Sequence, residues 1–276
     1  MNRSTPTGYH CRMSLFSRRL LRVLAVGALV ASAACANNEF TPKEASDNTS
    51  FFNASLAALK KGNYQKAAKG FEQLTFQLPA RDPMLPLAYY YLGVSHQFTD
   101  EFILAAQAFS RVPENFPEDT LAPLATFQAA VSYSKLWKRP DLDADYGVTA
   151  MSTYQSFLAA YPDSPLRDSA QAGIDQLNEM FARKDLQTAN LYAVQRAYDS
   201  SIIYYKDLLA KYPQTKAARD GMLGLVKAYK AIGYHDDAAE VCVTLRTKHP
   251  ADSDVEKACG PAPAATAAVV PAPAKP

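Results

Sequence analysis

An all-α array of about five helix pairs is what this sequence predicts, and three observations carry that reading. The first is a recurring mark: a small residue, a bulky one four positions later and a proline eight after that. It stands at Ala67/Phe71/Pro79, Ala105/Phe109/Pro117, Ala150/Tyr154/Pro162, Ser201/Tyr205/Pro213 and Ala238/Cys242/Pro250. A ring precedes the small residue by three positions at Tyr64, Phe102, Tyr198 and His235, with Gly147 the exception. Spacing of i, i+3, i+7 puts these side chains on one helix face, and the proline stops the helix. The second observation is a further helical stretch ahead of each mark from the second onward: Leu92-Gly93 then His96, Ala129-Ala130 then Tyr133, Ala189 then Tyr192, and Leu225 then Tyr229. Small residues there let paired helices approach closely while the aromatics fill the space between pairs. The third is the glycine in Lys61-Gly62-Asn63 and in Ile232-Gly233-Tyr234, placed where a first helix must turn into a second.

Two helices per unit, closed by proline, make a tetratricopeptide (TPR) repeat, so the expected fold is a TPR-type α-solenoid. The repeats fall at about 51–80, 86–118, 122–163, 166–214 and 217–259. Such arrays offer extended surfaces for holding other proteins. The spacing is uneven, with closing prolines 38, 45, 51 and 37 residues apart. An insertion from Lys135 to Tyr146 lengthens the third repeat. From Arg167 to about Ala197 no proline or turn cluster follows Gly173, which predicts one extended helix.

Both ends read differently. Residues 1–34 hold five basic and no acidic residues; Arg18, Arg19 and Arg22 precede the apolar run Val23–Val30, which leads into Ala31-Ser32-Ala33-Ala34-Cys35. That is the order of a cleaved secretory signal, and the apolar run is too short to span a bilayer. Met13 is an alternative start. The small residues ending at a cysteine resemble a bacterial lipobox, which implies cleavage before Cys35 and its lipidation; the competing reading is an ordinary signal with an incidental cysteine. Removing residues 1–34 leaves 24 basic residues against 27 acidic ones, so the apparent basicity of the precursor belongs to the signal. No nucleic-acid-binding footprint remains. Residues 35–50 are expected to be a flexible tether, and residues 260–276, an Ala/Pro/Val run, a disordered tail.

The remaining constellations carry little chemistry. Asp141-Leu142-Asp143-Ala144-Asp145 starts like a calcium loop, but Tyr146 replaces the required glycine and Ser152 the closing glutamate. An acidic start to a helix, favourable to its dipole, fits better. The histidines show no ligand spacing, and neither a nucleophile elbow nor a phosphate loop occurs. No metal, cofactor or catalytic residue is expected. Trp137 with Lys135, Lys138 and Arg139 forms one basic-aromatic cluster, read either as a solvated loop or as a docking point for an acidic partner. Cys242 and Cys259 flank a hairpin at Pro250 and are either a disulfide or two buried thiols.

With the lipobox and five irregular repeats, the runs Tyr154 to Ser164 and Tyr192 to Tyr198, Gly62-Asn63-Tyr64 with Ala67 and Phe71, and Arg139-Pro140-Asp141 together resemble the BamD family, TPR lipoproteins of the β-barrel assembly machinery. Arg196 departs from the glycine usual in that family. The resemblance implies a non-enzymatic, lipid-anchored protein of the outer membrane facing the periplasm. Its implied partners are a BamA-like barrel-forming subunit with periplasmic domains, unfolded outer-membrane proteins and other assembly lipoproteins. Ala36, where an inner-membrane retention signal would have Asp, favours the same membrane.

Placed on the repeats, the outward positions of the first helices give a candidate client groove of Phe52, Leu56, Tyr90, Val94, Gln97, Phe127 and Val131. An apolar-aromatic groove suits an extended peptide ending in an aromatic residue. The alternative is that these rings pack between adjacent helices. Equivalent positions of the last two repeats, Leu186, Asn190, Asp220, Leu223, Lys227 and Lys230, are mixed polar, and partner docking is assigned to Lys227 and Lys230 with Tyr192, Tyr198, Trp137, Lys138 and Arg139. Two other classes compete: a TPR lipoprotein of another envelope system (a secretin pilotin or a cell-division coordinator), and a TPR-bearing peptidoglycan hydrolase. Residues 50–259 leave no room for the catalytic domain that the last would need.

Overall fold

The computed structural model describes residues 39–41, 43, 44 and 46–261. Cys35, the signal and residues 262–276 lie outside them. The described residues are helical apart from their connections, and they fall into two compact units dividing after Glu101.

Unit 1 contains α1 (Asn48–Lys60), α2 (Tyr64–Gln77) and α3 (Leu85–Phe98). Asp47 caps α1, its carboxylate accepting from the Ser50 amide at 2.9 Å. At the α1–α2 turn Gly62 takes φ +81°; its N–H reaches the Leu59 carbonyl and that of Asn63 the Ala58 carbonyl. This Schellman closure needs a left-handed residue, which glycine supplies without steric cost. The helices then lie close enough for Ala67 and Phe71 to be fully buried. Asp82 accepts from the Met84 amide to start α3, and Pro86 sits in its first turn, where no N–H is missed. The α3 end repeats the Schellman closure with Asp100 at φ 59°. There His96 Nδ1 lies 2.7 Å from Glu101 Oε2, and that hydrogen bond holds the Glu101 carboxyl below its ordinary range.

Unit 2 contains α4 (Phe102–Asn115), α5 (Ala122–Leu136), α6 (Asp145–Ala160), α7 (Arg167–Val194), α8 (Tyr198–Lys211), α9 (Lys216–Ala231), α10 (His235–Lys248) and α11 (Ser253–Cys259). Consecutive helices pack on one another, and α5 also meets α7, as α7 meets α9. That neighbour-only pattern is the solenoid. Its small and bulky residues, Ala105/Phe109, Ala150/Tyr154, Ser201/Tyr205 and Ala238/Cys242, are all buried. The residue before each closing proline ends its helix by donating to the carbonyl four residues back, Phe116 to Val112, Tyr161 to Phe157, Tyr212 to Leu208 and His249 to Leu245.

The extended helix is α7, 28 residues and about 42 Å long. Its first half sends Ala170, Ile174 and Leu177 into the core around Tyr154 and Phe157, and Ala189 near its far end joins the core around Tyr205 and Tyr229. The insertion lies against it: Lys184 donates to the carbonyls of Pro140 and Leu142 at 3.2 and 2.9 Å.

Trp137 corrects the sequence reading. It is 2% exposed, neither in a solvated loop nor on a docking surface. Its six-membered ring fills the place where a side chain on Gly147 would stand, and its ring centroid lies 4.5 Å from that of Phe181. Gly147, the one mark without a ring, thus receives its ring from the insertion.

At the α7–α8 turn Arg196 holds φ 61° and completes the same Schellman closure, its N–H on Ala193 and that of Ala197 on Tyr192. A left-handed residue with a Cβ costs about 1–2 kcal/mol, against about 0.5–1 kcal/mol for the extra chain entropy of glycine. Arg196→Gly is therefore expected to raise unfolding stability by up to ~1.5 kcal/mol in urea titration. A lower midpoint would show that the arginine side chain contributes more than its backbone costs.

Candidate docking groove

Helix α9 shows how the groove arises. Asp220, Leu223, Lys227 and Ala231 recur at i, i+3, i+7 and i+11 and share one face, which lines an open cavity of about 950 Å³. Asn190 and Val194 on α7 form a second wall, with Tyr198 beside them, and Asp254, Lys257 and Ala258 of α11 form a third. Gly224 lets the floor close: a side chain there would overlap the Tyr205 ring, whose hydroxyl donates to Asn190 Oδ1 at 2.6 Å. Burial raises the Tyr205 pKa, so the phenol keeps the proton it donates.

The charges of the groove are mostly spent internally. The Arg219 guanidinium donates to Asp252, Asp220 and Asp254, clamping α9 to α11, and Lys257 pairs with Asp254 at 3.2 Å. The hydrogen bond from Arg219 pulls the Asp252 pKa down. Lys230 donates to the Ala258 carbonyl at 2.6 Å, so its ammonium caps α11 rather than facing a partner. Lys227 is exposed, and among the described residues its ammonium has no ion-pair partner. Val194, beside it in the lining, is 81% exposed. One uncompensated cation on an apolar floor suits a partner segment carrying an acidic side chain.

The other predicted site residues are distributed as follows. Tyr192 stacks on Tyr204 at 5.0 Å and 9°, outside the groove lining, with Ile203 exposed on α8. Lys138 and Arg139 are exposed in the insertion, Arg139 pairing with Asp141 at 3.1 Å. In unit 1, Phe52 is half-buried, its edge on Phe71 at 5.5 Å and on Tyr91 at 6.0 Å. Leu56, Tyr90, Val94 and Gln97 are half-buried as well. In unit 2, Phe127 and Val131 are half-buried, the Phe127 ring meeting Tyr154 and Phe157 edge-on at 5.9 Å. Each of Phe52 and Phe127 therefore packs against the bulky residue of its own repeat while leaving part of its surface open.

The short helix itself is read from the sequence at Asp252 to Ala258, but its part as a groove wall is not, because its residues lie beyond the last repeat mark. The Cys242–Cys259 disulfide, with Cα atoms 5.7 Å apart, attaches α11 to α10. Arg246 donates to the Gly260 carbonyl at 2.8 Å. Among the described residues no cluster of His, Cys, Asp and Glu could hold a metal ion.

A family model described as YfiO, outer membrane lipoprotein, matches residues 44–244. The chain belongs to this family. The YfiO match takes in α1 to α9 and most of α10, while α11 with its clamp lies beyond it. The chain is 21% identical over 232 residues to the outer membrane protein assembly factor BamD of Rickettsia prowazekii, covering 84% of this chain and 92% of that one. Against BamD of Haemophilus influenzae it is 24% identical over 228 residues, 77% and 84% of the two chains. Against that of Pasteurella multocida it is 22% identical over 254 residues, 88% and 97%. Among solved structures, the TPR2AB domain of yeast Sti1 overlaps 77% of this chain and 81% of its own at 11% identity, with a TM-score of 0.43.

Proposed function

We propose that this protein is a non-enzymatic scaffold of the β-barrel assembly machinery, acylated at Cys35, anchored in the outer membrane and facing the periplasm. The observation that carries the reading is the unit 2 groove, with unpaired Lys227 over an apolar floor, in a family of outer membrane lipoproteins whose relatives are named assembly factors. The groove takes the barrel-forming, BamA-like subunit through an acidic group set against Lys227, with Tyr198 flanking it. Exposed Lys138 and Arg139 offer a further contact to that subunit or to another assembly lipoprotein. Unfolded outer-membrane proteins meet the half-buried, mostly apolar positions: Phe52, Leu56, Tyr90 and Val94 with the polar Gln97 in unit 1, Phe127 and Val131 in unit 2.

Affinity capture from detergent-solubilised membranes tests the reading. Recovery of a large β-barrel protein with periplasmic domains is expected, and Lys227→Glu should cut that recovery roughly tenfold, because like charges placed together across an interface are costly. Recovery of a secretin or of division proteins instead would overturn it. Photo-crosslinkers at Phe52, Tyr90 and Phe127 should capture client chains more often than one at Lys227; equal capture would remove the client assignment.

A further inference from the structure

The residues just ahead of α1 are not free. Phe40 lies on the backbone of Gly70, where a side chain would come within 2.9 Å of its ring, and its centroid is 4.7 Å from that of Phe51, edge to face. The Lys66 ammonium stands 4.5 Å over the same ring and reaches Glu44 at 3.6 Å. Glu44 in turn accepts from the Thr41 amide and hydroxyl at 2.7 and 2.9 Å, and these bonds lead the causes that depress its pKa. Ring, cation–π contact and ion pair thus fasten Phe40, Thr41 and Glu44 to α1 and α2.

Chain arithmetic gives this latch a consequence. Cys35 precedes Phe40 by five residues and Asn48, the first residue of α1, by thirteen. A chain spans at most about 3.3–3.6 Å per residue, so a lipid on Cys35 reaches no more than ~17 Å to Phe40, against ~45 Å to α1 were the segment loose. We infer that Phe40 is the fixed end of the lipid anchor and that it holds unit 1 against the phospholipid surface by the corner where α1 and α2 meet Phe40. The partner of that corner is the headgroup layer itself. The 35–50 tether expected from the polar sequence therefore does not run on past Phe40. This inference rests on acylation of Cys35, as proposed above.

The test uses the full-length acylated protein in phospholipid vesicles, with a donor dye on Gln73→Cys, an exposed α2 position, and an acceptor on the lipid headgroups. Strong energy transfer is expected for the parent chain. Phe40→Ala should lower it about twofold or more as the reach grows towards ~45 Å, with the helical content of the chain unchanged. Inserting four Gly/Ser residues between Asn38 and Glu39, which leaves the latch intact, should lower it by a smaller step. Equal transfer in all three acylated, vesicle-bound proteins would overturn the inference alone. Absence of acyl mass on Cys35, with no vesicle binding, would overturn the anchoring reading and this inference with it.

Discussion

Trp137→Ala is expected to cost about 3–5 kcal/mol of unfolding free energy, the usual range for removing a large buried aromatic. The indole is 2% exposed and belongs to the core that joins α5, α6 and α7, between Gly147 and Phe181. Glycine at 147 cannot fill the space the ring vacates. Trp137→Phe should cost much less, because it keeps part of the ring and removes an indole N–H that is buried without an acceptor among the described residues. Urea titration followed by far-ultraviolet circular dichroism reads both variants. The parent chain offers a second signal, since its single tryptophan should emit at short wavelength when folded and shift to the red on unfolding. Similar midpoints for the alanine variant and the parent would show that the insertion hangs loosely on α7, against the packing described.

Opening the Cys242–Cys259 disulfide is the second large effect. A closed loop of 17 residues is worth about 3 kcal/mol to the folded state. The loss should be local, because α11 has seven residues and no helix of that length is stable alone. Val255 in the core, the Arg219 clamp and the bonds from Lys230 and Arg246 remain to hold it. Hydrogen exchange with and without reductant should show the amides of 253–259 losing protection first, with α5 and α6 unchanged. Unaltered protection of α11 would mean that the polar clamp alone suffices. A disulfide in this position suits the oxidising compartment that the proposed location provides. Because α11 forms a wall of the groove, reduction should also weaken capture of the barrel-forming subunit.

The repeat marks were legible because they are local. A small residue, a ring and a proline at fixed offsets on one helix need no partner to be recognised, and all five small–bulky pairs are buried. The first-to-second helix turns were half legible. Gly62 and Gly233 announce a left-handed residue, whereas Asp100 and Arg196 adopt the same backbone without the residue type that signals it. Trp137 was misplaced because its neighbours Lys135, Lys138 and Arg139 are exposed, and sequence proximity says nothing about which side chain turns inward. What drew it in was a missing side chain at Gly147, ten residues away. Phe40 was hidden in the same manner, a lone ring in a polar stretch whose socket, Gly70, lies thirty residues on. In the groove, Asn190, Leu223 and Lys227 followed from register, but the α11 wall depended on a disulfide that the sequence left open.

The double membership of α7 has a bearing on how the molecule can be taken apart. Its two ends serve different cores, so the third and fourth repeats do not meet at a seam but share a continuous beam. A truncation after the third repeat would remove α7 whole and leave Tyr154 and Phe157 without Ala170, Ile174 and Leu177, and a fragment starting at the fourth would keep α7 with those three residues stripped of their neighbours. Neither fragment is a natural piece, and the two repeats should melt as one cooperative block.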